Sequence, residues 1–296
     1  GRVRVNGRRY RKGEAIAPGD SVEVVDRPAA DALVPNPDLK IDILFEDAEI
    51  IVADKPPLIP CHPLRSDERA TVMNAIAAAY PETAHAGHKP LEGGLVHRLD
   101  NGTSGALIIA RNREAFATMR EALRAGRVTR RYRVLMTGRL DGKIEMATPI
   151  AHHSKNPRKM VVVDRMAAAV SINTTGTGVP AHSSMTPTAM MSARYRSLPR
   201  PALTEIEALA YKHGFTLGQV TPRTGNRHQI RVHLASIGRP LAGDDLYGGT
   251  PLAGLDAGRF WLHLAELEFE SPAGGRVRIS APLARDLEDS LARLRP

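Results

Sequence analysis

Apolar and polar positions change period several times along the chain, and each change marks an element. Residues 1–27 alternate in two short runs, "RVRVNG" and "GDSVEV". Asn6-Gly7 closes the first and Pro18-Gly19 precedes the second, so both read as strands. Residues 28–40 carry Pro28, Pro35 and Pro37 and few large apolar side chains, the composition of a linker. "EIIVADKPP" is a buried strand stopped by prolines, and "TVMNAIAAAY" is helical, with Val72, Ile76 and Ala79 on one stripe. "NREAFATMREALRAG" places Phe116, Met119 and Leu123 on one helix face and ends at Gly126, a natural C-cap. "RRYRVLMTG" is a strand with Tyr132 inside a basic run. Residues 166–199, rich in Ser, Thr, Ala, Met and Pro, break the rhythm and read as an insertion, partly disordered or helical at "PTAMMSARYR".

Strands resume at "TEIEALAYKHGFTLGQVTP", turning near Gly214. "TGNRHQIRVHLASIGRP" predicts a helix capped by Asn226, with Gln229 at capping-box spacing, and stopped by Gly238 and Pro240. Ile230, Leu234 and Ile237 form its apolar stripe, while His228 and Arg231 share another face at an anion-friendly end. "GDDLYGG" is a turn-rich loop, and the chain closes on a strand pair around Gly274-Gly275. No internal repeat is present, which excludes a solenoid or propeller.

The stretch "LVHRLDNGTSGALIIA", residues 95–110, poses a specific problem. Asp disfavours strand interiors and Asn-Gly favours tight turns, so the pattern predicts a hairpin with Asp100 at the last rung of a strand. Strand alternation would then put Arg98 and Asp100 on one face. Either the two form a solvated ion pair or the carboxylate sits at the floor of a cleft.

The chain has 296 residues, room for one large domain or two ordinary ones, and no apolar run approaches the span of a bilayer. Its single Cys excludes an internal disulfide and a cysteine-rich zinc site, and fits a reducing compartment. The formal charge of +9 is unevenly placed: residues 1–12 hold six Arg or Lys and no acid, and residues 111–139 hold nine Arg against Glu114 and Glu121. Such clustering points to phosphate-rich partners. The chain opens in what reads as mid-strand, so an upstream segment is expected.

Eleven histidines invite a metal reading, but their spacing does not support one: His228 and His233 are five apart, and no HExxH occurs. No Gly-rich phosphate loop is present. Asp100, Tyr132 and Arg231 remain, each in a defined element amid basic surface. Singly, Tyr132 reads as a sheet packing residue and Arg231 as a helix-surface charge.

Two blocks, "GGLVHRLDNGTSGALIIARN" and "TGNRHQIRVHLASIGRPLAGDDLYGG", closely resemble the signature blocks of the RluA family of pseudouridine synthases. "VADKPPLIPCHP", "RRYRVLMTGRL" and "PIAHHSKNPRKMVVVD" resemble its further segments, so the likeness covers roughly residues 41–283. Residues 1–27 resemble the end of a ribosomal-protein-S-four-like RNA-binding module. The resemblance implies an α/β (α+β) fold with a mostly antiparallel mixed sheet, flanking helices and a central basic cleft, in a catalytic domain of residues 41–296. It implies isomerisation of uridine to pseudouridine in RNA without metal or cofactor. Carried over by motif, Asp100 is the catalytic aspartate, Tyr132 lies against the target base and is a candidate base for the last proton removal, and Arg231 pairs with the aspartate. Arg98 is a candidate for filling the space a flipped base leaves, and His228 and Gln229 are candidate substrate contacts. Asn226-Arg227 stands where the family commonly has Arg-Thr; Asp54, Pro57 and Leu58, and the insertion, also depart from its pattern.

The leading expectation is therefore a cytoplasmic, monomeric RNA pseudouridine synthase, with ribosomal RNA favoured and transfer RNA open, and no membrane partner. Its rivals are a catalytically silent RNA-binding protein on the same scaffold and a nucleoside hydrolase that cleaves without rejoining.

Overall fold

A computed structural model describes residues 3–10, 16–24, 32–163 and 195–294. At the N-terminus β1 (Val3–Val5), β2 (Arg8–Arg9) and β3 (Val22–Val24) form a small antiparallel sheet in the order β2-β1-β3. The β1–β2 turn is the Asn6-Gly7 pair of the sequence, both residues at positive φ as a primed hairpin turn requires. Of the predicted linker, the first residues lie outside the described ones. The rest docks: Leu33 is buried in the core, and the Asn74 side chain donates to the Val34 carbonyl at 2.6 Å.

The main sheet draws on β4 (Ile43–Glu46), β5 (Ile50–Lys55), β6 (Ser104–Ala110), β7 (Thr129–Thr137) and β8 (Lys143–Met146). After a two-stranded ladder of β9 (Ile150–His152) and β10 (Met160–Val162), it continues with β11 (Thr204–Lys212), β12 (Phe215–Pro222), β13 (Leu262–Glu270) and β14 (Arg276–Ser280). Its order is β4-β5-β6-β13-β7-β12-β11-β8, with β14 on β13. β6 and β13 run parallel and the other described pairings are antiparallel, which is the mixed sheet the family resemblance implies.

Four α-helices flank it among the described residues: α1 (Val72–Ala79), α2 (Arg113–Arg124), α3 (Gln229–Ser236) and α4 (Arg285–Arg293). None is long and apolar enough to cross a membrane. The capping residues explain the ends of α1 and α2. Thr71 and Asn74 form a capping box, Asn112 accepts from the Ala115 N–H, and Gly126 at φ +71° lets the chain leave α2. The core fills both sides of the sheet. Ile50–Ala53, Ala106–Ala110, Val134 and Leu264 share one buried cluster with Val72 and Ile76 of α1 and Phe116 and Met119 of α2. Leu135 and Trp261 lie on the other side under Leu287 of α4, where the indole N–H donates to Ser290 at 3.0 Å.

Two expectations need correction. Residues 98–100 are not in a strand. The hairpin frays before them because His97 Nε2, rather than a carbonyl, receives the Ile108 N–H at 3.2 Å, and the Leu99 N–H turns to Cys61 Sγ at 3.3 Å. Arg98 and Asp100 therefore do not share a strand face. The helix predicted from Asn226 begins at Gln229, since His228 occupies the left-handed region at φ +53°. Half of the capping box survives, as Gln229 Oε1 accepts the Asn226 N–H at 3.2 Å, while the Asn226 amide is drawn to the Pro201 carbonyl at 2.8 Å. The predicted insertion lies outside the described residues up to 194; its end, from Tyr195, is tied by bridges between Tyr195 and His153 and between Arg200 and Ile150.

Candidate active site

A cleft of about 470 Å³ opens between the 97–103 segment, α2, β7 and the start of α3. Seven arginines line it: Arg98, Arg120, Arg124, Arg130, Arg200, Arg227 and Arg231. Asp100 is the carboxylate among the lining residues. One ionised acid in so positive a wall needs rigid placement, or it would pair with whichever guanidinium came nearest.

The backbone supplies that placement. The Asp100 carbonyl accepts the Thr103 N–H at 3.0 Å, closing a turn over Asn101-Gly102. The carbonyls of that turn are all bound. Fully buried Lys55 donates to those of Pro56, Asn101 and Thr103 at 2.9, 3.1 and 2.7 Å, and Arg259 donates to that of Gly102. An ammonium has three donors, and all three are used. Burial pulls the Lys55 amine down to about 8, so it remains largely charged at neutral pH. Gly102 has no alternative, because a Cβ there would come within 2.3 Å of the Gly258 carbonyl oxygen. Cys61 adds a further tie, its thiol donating to the Leu99 carbonyl at 3.4 Å.

Arg231 meets the carboxylate from α3. Its Nη1 donates to Asp100 Oδ2 at 3.1 Å. Its Nε and Nη2 are held by Asp244 at 2.7 and 2.8 Å, in the two-pronged geometry that suits a guanidinium. The guanidinium lies 4.1 Å from the Phe260 ring centre and 5.1 Å from that of Tyr247. Asp244 is buried, and sequence reasoning missed it by reading "GDDLYGG" only as a turn. A buried acid beside a helix carrying a buried Arg was the available signal, but thirteen residues separate them and nothing local joins them.

Of the remaining predicted residues, Tyr132 is buried on β7 and lines the cleft, and burial raises its phenol above the ordinary value. It enters the site as a neutral ring. Arg98 is exposed on the cleft wall. His228 brings Nε2 to 3.9 Å from Asp100 Oδ1. Gln229, predicted as a substrate contact, is buried and engaged within the protein. Its oxygen accepts from the Thr224 hydroxyl at 2.8 Å, and its amide donates to the Leu203 carbonyl at 3.0 Å and the Thr204 hydroxyl at 2.9 Å. It shapes the 224–229 loop instead. Arg130, likewise buried, donates to the Thr224 carbonyl at 3.2 Å.

The RNA pseudouridylate synthase family profile matches residues 49–236. The ribosomal large subunit pseudouridine synthase D of Pseudomonas aeruginosa is 32% identical over 270 residues, covering 87% of this chain and 73% of that protein. An uncharacterized RNA pseudouridine synthase of Bacillus subtilis, YlyB, is 31% identical over 300 residues, covering 100% and 86%. Among solved structures, human RNA pseudouridylate synthase domain containing 4 superposes with a TM-score of 0.57 at 24% identity, over 86% of this chain and 92% of that one. The matched span carries Asp100, Tyr132 and Arg231 together, and on that span and those relatives the chain belongs to the family of RNA pseudouridine synthases.

Proposed function

We propose that Asp100 is the catalytic carboxylate for converting uridine to pseudouridine in structured RNA, and that the RNA is ribosomal. The observation that carries this is the asymmetry of the carboxylate. Oδ2 is held by Arg231, while among the described residues Oδ1 has no hydrogen-bond partner and faces the cleft. In the reaction the N1–C1′ bond of uridine breaks and a C5–C1′ bond replaces it; C5 loses its proton and N1 gains one. A carboxylate fixed through one oxygen can use the other to attack the sugar or to take a proton from it. A free Asp ionises near about 3.9, so Arg231 is not needed to create the charge. It aims the carboxylate by holding Oδ2.

The uridine must leave its stack, which costs a few kcal/mol. The arginines along the cleft offset that through phosphate contacts. Tyr132 offers a neutral ring against the base, and Arg98 stands exposed where it can fill the vacated stack. The name of the Pseudomonas relative supports ribosomal RNA, and a ribosomal substrate in turn supports a cytoplasmic site of action. Arg4, Arg8 and Arg9, exposed on the small N-terminal sheet, support a second RNA contact of the S-four-like kind.

The test is tritium release from carbon-five-labelled RNA, run beside an RNA-binding assay. Asp100→Asn should fold, bind RNA as the wild type does, and release essentially no tritium. Release near the wild-type rate would overturn the assignment. Mapping pseudouridines in a deletion strain identifies the RNA, and a site missing from transfer RNA alone would replace the ribosomal reading.

A further inference from the structure

His228 departs from its neighbours in two ways. It takes the left-handed backbone at φ +53°, a conformation uncommon for a residue with a Cβ. It also sets its ring edge-on to Tyr247, with centres 5.8 Å apart, and brings Nδ1 to 3.0 Å from the Tyr247 hydroxyl. The left-handed turn thus aims one imidazole between a phenol and the Asp100 carboxylate.

The hydrogen bonds of Tyr247 decide where the imidazole carries its proton. The phenol oxygen accepts the Met160 N–H of β10 at 2.8 Å. Its own proton needs an acceptor, and among the described residues His228 Nδ1 is the atom in reach. If Nδ1 were protonated, two donors would face the phenol oxygen and the phenol proton would have no partner in a half-buried site. With the phenol donating to Nδ1, both bonds of the phenol are made and the imidazole proton lies on Nε2; Arg227 Nε, 3.4 Å from Nε2, then faces that N–H without bonding to it, while its Nη1 and Nη2 keep the Pro157 and Arg158 carbonyls at 3.4 Å. His228 Nε2 is the nitrogen 3.9 Å from Asp100 Oδ1, the carboxylate oxygen Arg231 leaves free. At 3.9 Å it is too far to be consumed by Asp100 itself. The ring is also neutral, since burial and the neighbouring Arg231 and Arg227 push it down to about 4 against the pull of Asp100 and Asp244.

We infer that Tyr247 fixes the His228 proton on Nε2, and that this N–H is a hydrogen-bond donor to the reacting nucleotide where it meets Asp100. His228 is then a catalytic residue and Tyr247 a positioning residue acting through it. The inference rests on Asp100 being the reacting carboxylate. A neutral donor suits this place. Uracil leaves with negative charge on its ring, and a donor already aimed there stabilises that charge without first having to reorganise. Because Tyr247 is itself held by the Met160 amide, the tautomer also depends on the β9–β10 ladder that fixes that amide.

The experiment pairs nitrogen NMR of histidine-labelled protein with single-turnover kinetics at saturating RNA. In the wild type, His228 should show an unprotonated Nδ1 and a protonated Nε2. Tyr247→Phe, which keeps the ring, should turn that signal into a tautomer mixture and slow the chemical step about tenfold with RNA affinity unchanged. His228→Ala should lose about 100-fold in rate. His228→Gln, whose amide N–H falls near the place of Nε2, should recover about tenfold of that loss, and His228→Asn, whose amide falls near Nδ1, should not. A wild-type proton on Nδ1, or wild-type rates in His228→Ala, overturns the inference. Should Tyr247→Phe fail to fold, the wild-type spectrum and the Gln-against-Asn comparison decide alone. Asp100→Asn is run in parallel: activity there overturns the Asp100 assignment, whereas an inactive Asp100→Asn beside a fully active His228→Ala overturns only this inference.

Discussion

Asp244→Ala tests the clamp on Arg231 most directly. Asp244 is 1% exposed and holds a guanidinium that is itself buried between Phe260 and Tyr247. Removing the carboxylate leaves Arg231 with Asp100, through a single bond of 3.1 Å to a half-buried partner. Breaking a buried ion pair from one side costs about 3–5 kcal/mol, and the surviving Asp100 bond argues for the lower end, about 3. At about 2–4 °C per kcal/mol for a domain of this size, Tm should fall by about 6–12 °C. The chemical step should suffer separately, because a displacement of about 1 Å in a catalytic group can cost about 100-fold. Calorimetry and single-turnover kinetics measure the two losses. The double variant Asp244→Leu/Arg231→Met removes both charges and fills their space, so it should regain most of the lost Tm while remaining inactive. An Asp244→Ala protein with wild-type Tm and rate would refute the clamp, as would a double variant whose two losses simply add.

RNA affinity should fall steeply with salt, with a slope of about −0.7 per neutralised phosphate on single-stranded segments, and Arg124→Ala should make the slope shallower with Tm preserved, because Arg124 lines the cleft and is exposed. A slope unchanged by the substitution would remove Arg124 from the RNA path. Acid should destabilise the fold before its carboxylates are titrated. His97, His228 and His263 are pushed by burial down to about 3, 4 and 4, while the unfolded chain takes up protons below about pH 6.5. Stability is therefore complete above that pH and is lost as pH falls toward 4, by up to about 1.4 kcal/mol per pH unit for each histidine. Asp54, raised to about 6 by burial and by Asp42, works in the opposite direction but is one group against three. Urea unfolding at pH 7.5 and pH 5 reads the difference, and equal midpoints would refute it.

What the sequence carried locally could be read from it. The Asn6-Gly7 turn, the turn at Gly214 and the Gly126 stop each depend on residues within a few positions of one another. The readings that failed depended on distant partners. The strand expected through Arg98 and Asp100 is dissolved by Cys61, 38 residues from Leu99. Asn226 is diverted from its helix by Pro201. Asp244 and Tyr247 carry no local mark, because the bonds that give them a role run to Arg231, His228 and Met160. β4, β8 and α4 leave little periodic signal: the strands are short, and α4 is mostly charged, with its apolar face spread thinly over Leu287 and Leu291.

The place of β13 in the sheet has a consequence for synthesis. β6 and β7 are separated in sequence only by α2 and its turns, yet β13 lies between them in space. A nascent chain that has not yet delivered Leu262 exposes two facing strand edges with free N–H and carbonyl groups, spaced to invite a direct and incorrect β6–β7 pairing. The same late segment brings Arg259 and Phe260, which hold the Asp100 turn and cover Arg231. The active centre is therefore among the last parts of the molecule to form, and a fragment released before β13 emerges carries Asp100 and Arg231 as an unassembled pair on an aggregation-prone half-sheet.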